Sequence, residues 1–249
     1  MKTANPRYLA RLLPGLALAA LAIPTASAQS LEQVVTRYLQ ARGGLARLRA
    51  VQTLRMTGRL ALPGVVAPFT LELKRPGRMR AEFAYQGLRG VRAYDGQKGW
   101  ALPAIPGRER PEPLSPDELE EAREQADIDL SPLVDYQAKG HQVELVGRER
   151  VEGKEAFRLK VVLREGTVRT LYLDAKSCLP IRAEDTRPLD GAPTEFVTET
   201  GDYRPVDGIQ FAHSLEIGPK GHAERQRITF DRIEVNVPLD DARFQKPSP

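Results

Sequence analysis

Two hydrophobic periods alternate along this chain, and the switches between them outline its architecture. In SLEQVVTRYLQARGG the apolar residues Leu31, Val34, Val35, Tyr38 and Leu39 recur at three- and four-residue spacing, which is one face of a helix. Ser30 is placed to cap its start and Gly43 to take the left-handed position past its end. A short helical turn follows around Leu45 to Ala50, and then the period becomes two. In TLRMTGRLAL the residues Leu54, Met56, Leu60 and Leu62 share one face while Arg55, Thr57 and Arg59 take the other, the pattern of a half-buried antiparallel strand. FTLELK repeats it with Phe69, Leu71 and Leu73, and RMRAEFAY with Met79, Ala81, Phe83 and Tyr85, the two joined through Pro76-Gly77.

The second half has the same grammar. Glu152-Gly153, Glu165-Gly166, Asp190-Gly191 and Asp207-Gly208 sit between alternating runs, as tight hairpins with positive φ require. FRLKVVL, VRTLYLD, LPIRAE, TEFVTET, IQFAHSLEI and RITFDRIEVNV read as successive antiparallel strands. In the last, Ile228 and Phe230 lie on one parity and Ile233, Val235 and Val237 on the other, which predicts a bulge near Asp231-Arg232. About eleven strands, at most twelve, are expected. One segment interrupts them: SPDELEEAREQADIDLSPLVDYQAKG carries a capping box in Ser115 and Glu118, Pro116 at the first helical position, and a second start at Ser131-Pro132. The proline-rich PAIPGRERPEP before it reads as an extended, exposed connector.

Composition changes the picture at the N-terminus. Lys2, Arg7 and Arg11, the apolar run from Leu12 to Ile23, and Ala26-Ser27-Ala28 have the form of a secretory signal peptide, residues 1–28, cleaved after Ala28. The apolar run is shorter than the roughly 20 residues of a membrane helix, and no cysteine follows the cleavage point to carry a lipid anchor. Setting those three cations aside lowers the formal charge from +4 to +1 over residues 29–249. The remaining Lys and Arg alternate with Asp and Glu, so a nucleic-acid partner is not expected. The single cysteine, Cys178, precludes an internal disulfide and reads as a small residue tucked beside a strand. One domain, residues 29–249, is expected, exported to the periplasm as a monomer.

Candidate chemistry is sparse. No nucleophile elbow, zincin helix, phosphate loop or dinucleotide fingerprint occurs, and His141, His213 and His222 stand apart without ligand spacing. His213 shares parity with Ile209, Phe211, Leu215 and Ile217 and so points to the apolar side, where it reads as a satisfied core residue. Asp127 and Asp129 read as turn-solvating or capping groups. Neither an enzyme nor a cofactor is expected. What stands out is a large apolar sheet face with little helix to cover it. The sheet either closes on itself, packs dry, or stays partly open over a concavity able to hold a hydrophobe.

LKRPGRMRAEF followed by AYDGQKGWALP resembles the periplasmic LolA-like lipoprotein carriers, through Lys74, Arg75 and Pro76 and then Asp95, Gly96 and Trp100, with Gln97 in place of the usual lysine. VPLDDARFQKP, with Phe244 and Pro247, resembles that family's ending, and ARGGLARLRA and KGHQVELVGRERVEGKEAFRLKVVL look like an outer-membrane lipoprotein-sorting-like branch. The resemblance implies an α+β fold: an unclosed antiparallel β half-barrel covered by the N-terminal helix and the central helical insertion, which move aside for a lipid. It implies a carrier or chaperone for acyl chains of lipoproteins or other lipids, working between an inner-membrane donor and an outer-membrane acceptor. The same fold also serves periplasmic protein-interaction modules that sense envelope stress, which is the alternative. The apolar-face candidates for binding are Leu54, Met56, Leu60, Phe69, Leu71, Leu73, Met79, Phe83, Leu171 and Leu173, with Trp100 at the edge of the core or on a ligand-facing rim.

Overall fold

The computed structural model describes residues 29–247 apart from 109 and 190, so the expected signal peptide and the aspartate of the Asp190-Gly191 turn lie outside the described residues. Helix α1, Leu31–Ala41, begins with a reciprocal cap: Gln33 N donates to Ser30 Oγ at 3.3 Å and Ser30 N donates to Gln33 Oε1 at 3.0 Å. Val34 and Tyr38 on its apolar stripe are fully buried. Each such side chain contributes about 1.5–3 kcal/mol of apolar burial. Helix α2, Leu45–Ala50, buries Leu48.

Five strands and a two-residue bridge form a first meander: β1 Thr53–Leu62, β2 Val65–Lys74, β3 Arg78–Tyr85, β4 Leu88–Tyr94, β5 Gly99–Leu102 and β6 Glu112–Pro113. Helix α3, Pro116–Gln125, starts with Pro116 behind the expected capping box, in which Ser115 N donates to Glu118 Oε2 at 2.8 Å. A run of turns from 127 to 140 completes the insertion. The second meander is β7 Gln142–Val151, β8 Lys154–Val162, β9 Val168–Asp174, β10 Pro180–Leu189, β11 Ala192–Val206, β12 Ile209–Pro219 and β13 Gln226–Val235.

All thirteen strands belong to one antiparallel sheet in the order β6-β5-β4-β3-β2-β1-β13-β12-β11-β10-β9-β8-β7. The first and last long strands, β1 and β13, pair at its centre, while β6 and β7 are free edges, so the sheet is an unclosed half-barrel. The strand count exceeds the expected eleven or twelve because Glu112–Pro113, read from sequence as connector, pairs with Trp100–Ala101. The predicted bulge exists. Thr57 pairs with Arg232 and Gly58 with Phe230, so the register skips Asp231. That extra residue lets both parities of β13 reach one face, where Ile228, Phe230 and Ile233 join the same core. Gly58 is required there, because a Cβ at 58 would sit 1.8 Å from the Thr229 carbonyl oxygen.

Candidate functional site

The inward parity of the two meanders makes a continuous apolar face. Leu54 lies between Leu73 and Val235, and Leu73 beside Met79. Met56 lies between Leu71 and Ile233, and Phe69 beside Phe83. The Phe69 and Phe230 rings stand 6.1 Å apart at 43°. Gly90 is bare because the Phe83 ring lies where its Cβ would be, 2.3 Å away. On the other wall Leu171 pairs with Leu159 and Leu173 with Phe157. Ten of the eleven sequence candidates thus share one face. Leu54, Met56, Leu60, Leu73, Met79, Leu171 and Leu173 are buried, while Phe69, Leu71 and Phe83 remain half-buried.

Trp100 is the exception: expected at the edge of the core or on a ligand-facing rim, it is buried in a small cluster on the opposite face. It pairs with Ala93, whose parity points away from the concave core, and packs with Val91, Ala93 and Leu102 on the convex face. Its Nε1 donates to the Phe244 carbonyl oxygen at 3.0 Å, and the Arg80 guanidinium lies 5.5 Å over its ring. The segment after β13 straps this face: Arg80 donates to the Arg243 carbonyl at 2.8 Å, and Arg243 and Arg55 both pair with Glu72, which is only 1% exposed.

The concave face is covered by α1 and by the helical insertion. Val34 and Tyr38 of α1, Ala122 of α3, and Ala126, Ile128, Leu133 and Val134 of the insertion pack into the same core as the strands. Two open hollows lie elsewhere: a polar groove of about 200 Å³ between Glu152, Arg182, Glu199 and Ser214, and one of about 110 Å³ beside Arg78 and Asp241.

The cover packs these apolar side chains into the core and is also tied down by ion pairs. α3 crosses from one wall to the other. Arg92 of β4 donates to the Glu118 carbonyl at 2.6 Å and pairs with Glu121 at 2.9 Å, while Arg169 of β9 pairs with Glu124 and, at 2.8 Å, with Asp185. Burial alone would push Asp185 up, but Arg187 and Arg169 outweigh it and hold this carboxyl below its usual range. The following turns are tied by Asp129, which is 3% exposed and takes Arg75 at 2.6 Å and Lys139 at 2.7 Å, and by Asp135, which takes Arg49. Lys139 also reaches Asp127 at 2.6 Å, yet burial still pushes the Asp127 carboxyl above its ordinary value. Arg49 holds Asp135 below it. From sequence, Asp127 and Asp129 are expected as turn-solvating or capping groups. Asp127 does accept the Asp129 amide at 3.1 Å, but both carboxylates are ion-pair partners. The arginine of the Lys-Arg-Pro motif has a defined task here, since Arg75 also donates to the Val51 carbonyl at 2.8 Å.

Among the remaining candidates, Cys178 is buried in the core, and burial pushes its thiol up. His213 points to the concave face as expected, and its Nδ1 donates to the Phe230 carbonyl at 2.7 Å, but its buried Nε2 has no partner, so it is only half satisfied. No group of three metal-ligating side chains is present among the described residues. No described helix is long and apolar enough to cross a membrane.

No protein-family model matches the chain, and no curated protein does. Its similarity is to solved structures. A DUF1329 family protein from Desulfovibrio piger superposes with a TM-score of 0.59 at 13% identity, covering 87% of this chain and 98% of that one. A putative outer membrane lipoprotein-sorting protein domain from Vibrio parahaemolyticus gives 0.56 at 13%, covering 86% and 95%. A LolA superfamily protein from Nitrosomonas europaea gives 0.56 at 11%, covering 88% and 99%. With its unclosed antiparallel sheet and its helical cover on the concave side, the chain has a LolA-like fold.

Proposed function

We propose that the protein is a periplasmic carrier that holds the acyl chains of lipoproteins or other lipids against the concave face of its sheet. The observation that carries this reading is the mismatch between the face and its cover. Ten large apolar residues from both walls line up under an insertion that returns only Ala122, Ala126, Ile128, Leu133 and Val134 as buried apolar side chains and is held in addition by ion pairs and backbone hydrogen bonds. The Arg92–Glu121 and Arg49–Asp135 pairs each have an exposed partner and are worth about 0–1 kcal/mol, so these clips release at low cost, while the buried Asp129 and Asp185 pairs hold the closed form more firmly. An acyl chain replacing the insertion gains about 0.8 kcal/mol per buried methylene.

In this reading residues 1–28 direct export and are removed after Ala28, and residues 29–249 act as one monomeric domain. Leu54, Met56, Leu60, Phe69, Leu71, Leu73, Met79, Phe83, Leu171 and Leu173 contact the cargo, and Trp100 does not. A membrane donor and an acceptor complete the cycle. The lipoprotein sorting named for the similar domain from Vibrio parahaemolyticus suits the same reading. The test is to purify the mature chain without detergent, examine organic extracts by mass spectrometry, and titrate with a fluorescent fatty acid. Co-purified lipid and saturable probe binding are expected. Absence of both overturns the carrier reading and leaves a protein-interaction role for the fold.

A further inference from the structure

We propose that Arg42 is a head-group site at one end of the concave face and that the head it takes is a single carboxylate, so that the cargo is an amphiphile with an ionised acid terminus. The inference rests on the carrier reading and adds the chemistry of the ligand to it. Arg42 follows α1 and is 5% exposed. Its guanidinium lies 5.9 Å from the Tyr38 ring and 6.0 Å from the Phe211 ring, among core side chains. Other buried charges in this protein are paired: Glu72 with two arginines, Asp185 with two, Asp129 with an arginine and a lysine. Arg42 has no carboxylate partner among the described residues. An unpaired charge inside an apolar core is costly, and proteins normally pair it.

The neighbouring ion-pair cluster does not supply the missing partner. Arg49, Arg75 and Lys139 are matched there by Asp127, Asp129 and Asp135, three against three. Arg42 touches this cluster only through the Asp129 backbone, its Nη2 donating to that carbonyl at a long 3.4 Å. It therefore leaves one positive charge in surplus.

The unused part of the guanidinium has a definite shape. Nη1 donates to Tyr38 Oη at 2.9 Å, while Nε is buried without a partner and Nη2 has only the long carbonyl contact. Nε and Nη2 form the edge that takes a carboxylate with two parallel bonds. Arg49 uses that same edge for Asp135, at 2.9 Å from Nε and 2.5 Å from Nη2. In Arg42 the edge is covered by the Asp129 carbonyl of the insertion, and lifting the insertion exposes it. One surplus charge matches a carboxylate, whereas a phosphate monoester carries about −1.5 to −2 and would leave negative charge in the apolar face.

The tail has a path from this point. β12 continues from Phe211 through His213, Leu215 and Ile217 on the same parity, a run of about 20 Å. Leu215 and Ile217 are half-buried, and the orphaned His213 Nε2 is the polar interruption along the way.

The test compares laurate, 1-dodecanol and dodecyl phosphate by equilibrium dialysis at pH 8 on the delipidated mature chain and its R42Q variant. Laurate is expected to bind the wild type about tenfold tighter than dodecanol, the scale of a charge-assisted hydrogen-bond pair. R42Q is expected to erase that preference while dodecanol affinity stays within about twofold, since the tail contacts are untouched. Equal binding of laurate and dodecanol by the wild type overturns the head-group site but leaves the carrier reading standing. So does a proportional loss of both ligands in R42Q, and dodecyl phosphate binding tightest overturns the choice of carboxylate. If no ligand binds the wild type, the carrier reading falls and this inference with it. The wild-type comparison decides even if R42Q fails to fold.

Discussion

Trp100 and Leu171 are both buried and apolar, but they lie on opposite sides of the sheet and so separate stability from binding. Trp100→Ala removes a large side chain from the convex cluster together with its bond to the Phe244 carbonyl, and is expected to cost about 3–5 kcal/mol in denaturant unfolding. The acyl-probe affinity of the folded fraction should not change. Leu171→Asp, by contrast, is expected to lower probe affinity more than tenfold, by about 1.4 kcal/mol or more, because it places a charge on the face the cargo needs. Finding both variants equal in probe binding would disprove the assignment of the concave face. The parity of Leu171 was legible because half-buried strands alternate. The side taken by Trp100 was not: it depends on the registers of two successive hairpins, through Gln86-Gly87 and Asp95-Gly96, and the chain shows turn chemistry there without fixing the count of paired residues. Arg42 was equally hidden, since a basic residue following a helix reads as an ordinary dipole partner.

The element that decides function is the insertion, and its capping box was plain in the sequence while its attachments were not. Arg75 and Asp129 are 54 residues apart, so no local pattern links them. Two kinds of carboxylate fasten the cover. Asp135 and Asp185 are held below their usual values, so they contribute stability above the unfolded value of about 4 and lose it as pH falls through their folded values. Asp127 is raised, and its ionisation is a cost that is present above its folded value and disappears on acidification. The expected outcome is a thermal midpoint that declines below about pH 4, with D185N less stable at pH 7 by about 2–3 kcal/mol because Arg187 loses its partner and Arg169 keeps only Glu124. D127N is expected to be neutral or slightly stabilising, within about 1 kcal/mol. A second consequence follows from α3 spanning the walls. Replacing Glu121 and Glu124 by Gln weakens both of its ion-pair clips and should speed fluorescent fatty-acid uptake about fivefold in stopped-flow mixing at low salt, with the difference shrinking as ionic strength rises. A rate independent of both the variants and salt would mean that α3 does not gate the face.

At the scale of the molecule, the two meanders share one sheet only because the first and last long strands pair, so the β1–β13 seam determines whether the protein unfolds as one unit. The free edges do not add to this. β6 is two residues long, and β7 is blunted by a bulge at Val146 and by Glu144, Arg148 and Arg150, features that keep an open sheet from pairing with other chains. The bulge in β13 was legible from the parity switch between Phe230 and Ile233, whereas its partner was not, because β1 and β13 lie at opposite ends of the described chain. Gly58 is where that seam is tightest. Its would-be Cβ meets the Thr229 carbonyl oxygen at 1.8 Å and the Phe230 Cα at 2.7 Å, both backbone atoms that cannot yield without moving the ladder. Gly58→Ala is therefore expected to destabilise by about 3 kcal/mol, at the upper end for overpacking. The single tryptophan reports on the first meander, and far-UV circular dichroism on both. In the wild type the two signals should change together during urea unfolding, as one cooperative unit requires. In G58A both should shift to lower urea, and a fluorescence transition that separates from the circular dichroism one would show that the seam alone had joined two halves able to fold apart.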